Sequence, residues 1–149
     1  MKVINRKFSR EYQRLEEFET GISLIGAEVK SVRAGHIRLE DAFVKIIGSE
    51  AYLINADIPV YRFSRPQGYD PKRTRKLLLH KKELLKLKVK MAGSPGLTIA
   101  PVACYNKGSL FKLQIALVRG LKNVEKKKLE KSRDVKRQQE REVKEYMKN

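Results

Sequence analysis

Residues 97–118 constrain the fold most. Leu97-Thr-Ile-Ala-Pro-Val-Ala-Cys-Tyr105 and Leu110-Phe-Lys-Leu-Gln-Ile-Ala-Leu-Val118 are two β-rich runs, and Asn106-Lys107-Gly108 between them supplies a reversal. In the second run Leu113, Ile115 and Leu117 alternate with Lys112, Gln114 and Ala116, the pattern of a strand with one buried face. Pro101 has no N–H to give to a ladder, so its strand is expected to carry an edge or a bulge there. Residues 41–58 repeat the arrangement. Ala42–Ile47 and Ala51–Ala56 flank Gly48-Ser49, a tight turn with glycine first. Residues 11–20 read as a weaker strand. Two helices are expected, Ala27 to Ala34 with Gly35 as its stop signal, and Thr74 to Met91 with Leu84, Leu87 and Met91 at helical spacing. Five or six strands with two helical insertions in about 120 residues suggest a small, mainly antiparallel β-barrel. The oligonucleotide/oligosaccharide-binding barrel is the natural candidate.

Charge narrows the partner. The 149 residues carry 34 Lys+Arg against 17 Asp+Glu, a net charge of +17. Such an excess calls for a polyanion, and nucleic acid leads over an anionic membrane. The basic residues concentrate twice. Residues 60–90 hold eleven Lys/Arg against Asp70 and Glu83, interleaved with Tyr61, Phe63 and Tyr69. Phosphates attract the cations and unstacked bases the rings, which suits a nucleic-acid surface. For Lys86, Lys88 and Lys90 the favoured reading is the charged outer face of a helix. Residues 121–149 hold 11 Lys/Arg and 6 Asp/Glu, so little apolar surface remains to offset the entropy of ordering. The expected division is a barrel over 1–120 and a basic tail over 121–149, disordered in free solution and helical only when bound. Lys126–Glu130, Glu140–Lys144 and Arg141–Glu145 give the tail helical potential.

Several function classes lose ground. One cysteine provides no intramolecular disulfide and fits a reducing compartment. No run approaches 18 apolar residues, and the basic Met1–Arg10 segment lacks the apolar stretch of a secretory signal, so the expected location is the cytoplasm. Cys104 lies in an expected strand, far in sequence from His36 and His80, and reads as a buried thiol. Phosphate-loop and zinc-ligand spacings are missing from the sequence. Glu16, Glu17 and Glu19 could ligate a metal, but on a strand Glu16 faces away from the other two. No enzyme, cofactor or metal is therefore expected.

Longer motifs narrow the choice further. Asn5-Arg-Lys, Tyr12, Phe18-Glu-Thr-Gly-Ile-Ser-Leu-Ile-Gly26 and Glu28-Val-Lys-Ser-Val-Arg-Ala-Gly35 stand in that order. Asp70-Pro-Lys-Arg-Thr-Arg-Lys-Leu-Leu-Leu79 follows with Glu83-Leu84, then Tyr105, Lys107-Gly108, Lys112 and Ala116 to Gly120. Together they resemble the SsrA-binding proteins (small protein B), bacterial partners of transfer-messenger RNA. The resemblance runs from Asn5 to the end of the chain. It implies an oligonucleotide-binding-type β-barrel with helices, a C-terminal tail unstructured in free solution, and no catalysis. The implied partners are the tRNA-like domain of transfer-messenger RNA, the ribosomal decoding centre and mRNA channel, and elongation factor Tu within the aminoacylated complex. The implied form is a monomer, and the implied process is trans-translation, the rescue of stalled ribosomes. Charge and composition alone fit a general ribosomal-RNA-binding barrel equally well.

By motif position the resemblance puts RNA contacts on Glu19, Leu78 and Lys112, with Asn5 close to the same surface. For Leu78 a core role stands beside that one. Lys30, Arg33, Arg73, Arg75 and Lys76 read as phosphate contacts, which position without specifying. In the tail, Lys122, Glu125, Lys126, Lys127 and Lys128 stand at the family's charged segment, and Tyr146-Met147-Lys148 resembles its helix anchor. The chain departs from the family where Leu121 interrupts a Gly-Lys-Lys segment and Glu125-Lys-Lys127 replaces Asp-Lys-Arg. It departs again at Phe8, where a small residue is usual, and at Arg10, where histidine is frequent.

Overall fold

The computed structural model describes residues 1–61 and 67–148. The basic-aromatic expectation for Arg62, Phe63 and Arg65 falls outside them. The elements are β1 (Lys2–Ile4), α1 (Phe8–Glu11), β2 (Tyr12–Ile22), α2 (Gly26–Arg33), β3 (Phe43–Ile47), β4 (Glu50–Ile54), β5 (Arg75–Leu78), α3 (Lys81–Gly93), β6 (Leu97–Lys107), β7 (Leu110–Gly120) and α4 (Asn123–Lys148).

All strand pairs are antiparallel, and the strands follow the order β1-β6-β3-β4-β5-β2-β7, with β6 also paired to β7. That last pairing closes β6, β3, β4, β5, β2 and β7 into a ring, and β1 extends it along β6. This is the expected oligonucleotide-binding-type β-barrel with helices. Closure removes the exposed edges an open sheet would leave. Alternate residues point inward. Val44, Leu53, Leu77, Ile99, Leu113, Ile115 and Leu117 fill the interior with Phe18 and Ile22, while Val32 of α2 and Leu87 of α3 close it. A second, smaller cluster lies on the outer wall, where Phe8 of α1 rests on a floor of Ala100, Ala103 and Ala116.

Both expected hairpins form. Gly48 turns the first at φ +63°. In the second the strands run on to Lys107 and from Leu110, so the reversal falls on Gly108-Ser109, with Gly108 at φ +60°. The register slips between Pro101 and Ala103, so of the expected edge or bulge it is the bulge that forms. A second slip, between Arg14 and Glu16, leaves Leu15 unpaired in β2.

The expected helix from Thr74 is corrected by the structure. Residues 75–78 are strand β5, and the helix starts only at Lys81. Arg75 and Leu77 point inward and Lys76 and Leu78 outward, and the strand is held between β4 and β2. Helical spacing of leucines cannot distinguish a short buried strand from the helix that follows it. The helix start is marked by Glu83, whose side chain accepts from the His80 backbone N–H at 3.4 Å. Strand β1 and helix α1 were not foreseen, being three and four residues long.

α3 lies on the barrel. Leu84, Leu87 and Met91 pack inward. Lys86 and Lys90 both pair with Glu16, and Lys88 Nζ donates to the Gly48 carbonyl at 2.8 Å. All three stay exposed, so they form the expected charged outer face of a helix, with its cations partnered. α4 leaves the barrel after Gly120. Its described attachments lie at its start, where Lys126 Nζ meets Glu11 at 2.8 Å and Glu130 meets Arg10 at 3.3 Å. No described helix is long and apolar enough to cross a membrane.

Candidate RNA interface

Strand register assembles the site. Leu78 of β5 lies opposite Gly21 of β2, Gly21 opposite Lys112 of β7, Lys112 opposite Tyr105 of β6, and Tyr105 opposite Lys2 of β1. All are on the outer face, because their neighbours Leu77, Thr20, Leu113 and Cys104 are buried. One row thus crosses five strands as Leu78–Gly21–Lys112–Tyr105–Lys2. Leu78 is 57% exposed, so it is no core residue. Gly21 leaves the middle of the row flat. A Cβ there would approach the Leu78 side chain to 3.3 Å.

Glu19 stands beside the row, opposite Gln114. The Tyr105 hydroxyl donates to its carboxylate, and Lys107 Nζ lies 3.0 Å away. The hydrogen bond from Tyr105, then that from Lys107, hold the Glu19 carboxyl below its ordinary range. Burial, then the bond to Glu19, pushes the Tyr105 phenol up to about 12. Both groups therefore keep their roles at neutral pH, a carboxylate acceptor and a phenol donor. The direct cation of Glu19 is Lys107, not Lys112, whose ammonium acts on it only through space. Lys112 is left to meet an anion. Tyr105 and Lys107 belong to this site and were not among its expected contacts. Their sequence signal was present, a tyrosine and a lysine ahead of the turn on the strand beside Lys112, but only the β6–β7 register attaches them to Glu19.

The other expected contacts separate. Asn5 is buried; its side-chain amide donates to the Pro101 carbonyl at 2.9 Å and its side-chain oxygen accepts from the Lys7 backbone. It fastens β1 to β6 rather than facing outward. Arg75 is a correction. It is fully buried, its Nε donates to Glu28 at 2.6 Å, and its other nitrogens donate to the carbonyls of Ala56 at 2.6 Å and Pro71 at 2.9 Å. A guanidinium spent in this way has no donors to turn toward a phosphate. Arg73, on the rim, also holds Glu28, at 2.5 Å. Burial would raise the Glu28 carboxyl, but hydrogen bonds from Arg73, the Ile25 backbone and Arg75 hold it below its ordinary range. In the sequence both arginines look like surface cations, because a buried carboxylate partner 45 positions from Arg73 and 47 from Arg75 leaves no local mark.

Lys30 and Arg33 are exposed on α2, as a phosphate contact requires. Lys30 lies 5.4 Å from the Tyr61 ring centre and Arg33 5.9 Å from that of Phe111. Lys76 is exposed on β5 and paired with Glu50 at 3.3 Å. Lys122, Lys127 and Lys128 are exposed, Glu125 is half-buried, and Lys126 is engaged with Glu11. Tyr146, Met147 and Lys148 end α4, and their side chains lie outside the described residues. Cys104 is fully buried, and burial pushes its thiol up to about 11, so it is protonated at neutral pH. No cluster of three or more metal-ligating side chains occurs among the described residues.

A closed antiparallel barrel with a flat basic-aromatic row on its outer wall defines the class: a barrel of the oligonucleotide-binding type. Comparison with known proteins agrees. The profile of the family described as SmpB protein matches residues 2–145. SsrA-binding proteins are similar along most of the chain. That of Deinococcus radiodurans is 45% identical over 134 residues, 90% of this chain and 93% of its own. That of Mesoplasma florum is 44% identical over 143 residues, 95% of each chain. A solved structure from the study "tmRNA-SmpB: a journey to the center of the bacterial ribosome" superposes with a TM-score of 0.67 at 40% identity, covering 82% of this chain and 85% of the other. The chain belongs to the SmpB protein family.

Proposed function

We propose that this protein is an RNA-binding adaptor of trans-translation. It binds the tRNA-like domain of transfer-messenger RNA and delivers it to stalled ribosomes, where its tail probes the empty mRNA channel. The observation that carries this reading is the register that gathers Leu78, Lys112 and Glu19 around Gly21 on one outer wall. The family, and relatives named as SsrA-binding proteins, point to the same RNA. Lys112 supplies a cation, Leu78 and the Tyr105 ring apolar surface, and Glu19 an acceptor for base amino groups. Lys30 and Arg33 add phosphate contacts that orient the RNA. The chain holds and positions; it performs no reaction.

The barrel, residues 1–120, carries this task, and the tail, residues 121–149, carries the other. α4 is the form the tail takes on the ribosome, with Lys122 just before it, Glu125, Lys127 and Lys128 along its first turns and Tyr146, Met147 and Lys148 at its end. Free in solution it is largely unfolded. Its described ion pairs with the barrel are two, Arg10–Glu130, which is exposed and of a class worth about 0–1 kcal/mol, and Lys126–Glu11, which is part-buried. The protein acts as a cytoplasmic monomer, alongside elongation factor Tu when the RNA is aminoacylated.

The test is affinity for a tRNA-like RNA against an unrelated duplex of equal length at matched salt. Clear preference for the tRNA-like fold is expected. Equal binding would leave only a general ribosomal-RNA-binding barrel.

A further inference from the structure

Beyond Leu78 the outer wall continues across β5, β4 and β3. Strand alternation turns eight side chains outward there: Lys76 and Leu78; Glu50, Tyr52 and Ile54; Phe43, Lys45 and Ile47. Lys45 lies opposite Tyr52, and Tyr52 opposite Lys76. The result is a Lys–Tyr–Lys row across three strands, with the Phe43–Ile54 pair beside it. Phe43 is 39% and Ile47 53% exposed.

Three observations specify the occupant. A ring with a cation on each side is the composition of a single-strand platform, the base stacking on the ring and phosphates meeting the lysines. With strands about 4.8 Å apart, the two lysine backbones stand ~10 Å apart, a span that an extended strand laid over Tyr52 bridges. Lys45 has no carboxylate partner among the described residues, and Lys76 has only the half-buried Glu50 at 3.3 Å.

We propose that the outer face of β3, β4 and β5 is a second RNA-contact surface, taking a single-stranded segment across Tyr52 between Lys45 and Lys76. It is separate from the row at Lys112 and takes unpaired rather than folded RNA. It rests on the RNA-binding reading only in the choice of polyanion. A protein segment docking on Phe43, Ile47 and Ile54 would bind with little dependence on salt.

The experiment uses the full chain and two probes, an unstructured single-stranded RNA of ~10 nucleotides and a tRNA-like-domain RNA. Tyr52→Leu should weaken single-strand binding roughly fivefold or more, while Tyr52→Phe keeps it. Lys45→Ala should lower the salt slope for the single strand by about 0.7. None of the three should change affinity for the tRNA-like RNA, and thermal melts should match the unsubstituted chain. If Tyr52→Leu melts early, Lys45→Ala and Tyr52→Phe decide alone. Unchanged single-strand affinity and slope would overturn the proposal. So would an equal loss for both probes, which would make the two faces one site. Absence of any preference for the tRNA-like RNA in the unsubstituted chain would instead defeat the adaptor reading and leave the single-strand result standing.

Discussion

Glu28 shows how one residue ties the barrel together. It is fully buried, pairs with Arg73 and Arg75, and accepts from the backbone at the start of α2 at 3.0 Å. Replacing it with glutamine leaves Arg75 buried without a counter-charge, which should cost about 3–5 kcal/mol in denaturant unfolding. The same carboxyl gives a pH signature. Its folded value lies below the ordinary 4.5. The stability it contributes is complete above 4.5 and is lost as pH falls through the folded value. Acid unfolding curves should show that loss below 4.5 in the unsubstituted chain and not in Glu28→Gln. At the RNA row, Lys112→Ala should weaken tRNA-like RNA binding by ~1–3 kcal/mol if its contact is specific. Glu19→Ala should weaken it too, and should free Tyr105 and Lys107, which the carboxylate now holds. Wild-type affinity after both changes would refute the site.

Among the elements, α3 and α4 are opposites. α3 buries Leu87 completely and packs Leu84 and Met91 against the barrel interior, with the ion pairs of Lys86 and Lys90 to Glu16 only adding to that. α4 has a rich supply of charges and few apolar residues, and packing supplies most helix stability in water. Circular dichroism of the free protein should therefore show little helix beyond α2 and α3, and a stable 26-residue contribution would overturn folding on arrival. The shortest elements were hardest to read. Strand β5 hides in a leucine run whose spacing also suits a helix, and β1 and α1 are too short for any period to emerge.

At the scale of the molecule the +17 divides between two segments. Residues 1–120 hold 23 Lys/Arg and 11 Asp/Glu, a net +12, and residues 121–149 hold 11 and 6, a net +5. Truncation after Gly120 should leave tRNA-like RNA binding nearly intact and abolish ribosome rescue. Collapse of free-RNA affinity would instead make the tail the RNA-binding element.

The sequence by itself determined the class of fold, the two hairpins, an edge or a bulge at Pro101 and the family, because turns and alternation are local and motifs are linear. It also offered Glu19, Leu78 and Lys112 as candidate contacts, by resemblance. Only the tertiary structure decided which cations face outward. Arg75 and Lys76 are neighbours in one basic run, yet the strand's period of two buries the first against Glu28 and exposes the second. Tertiary structure also placed Tyr105 and Lys107 on Glu19 and set Lys45, Tyr52 and Lys76 in one row. Contacts across a closed barrel depend on register, and register is fixed by the packing of the whole interior rather than by any one segment.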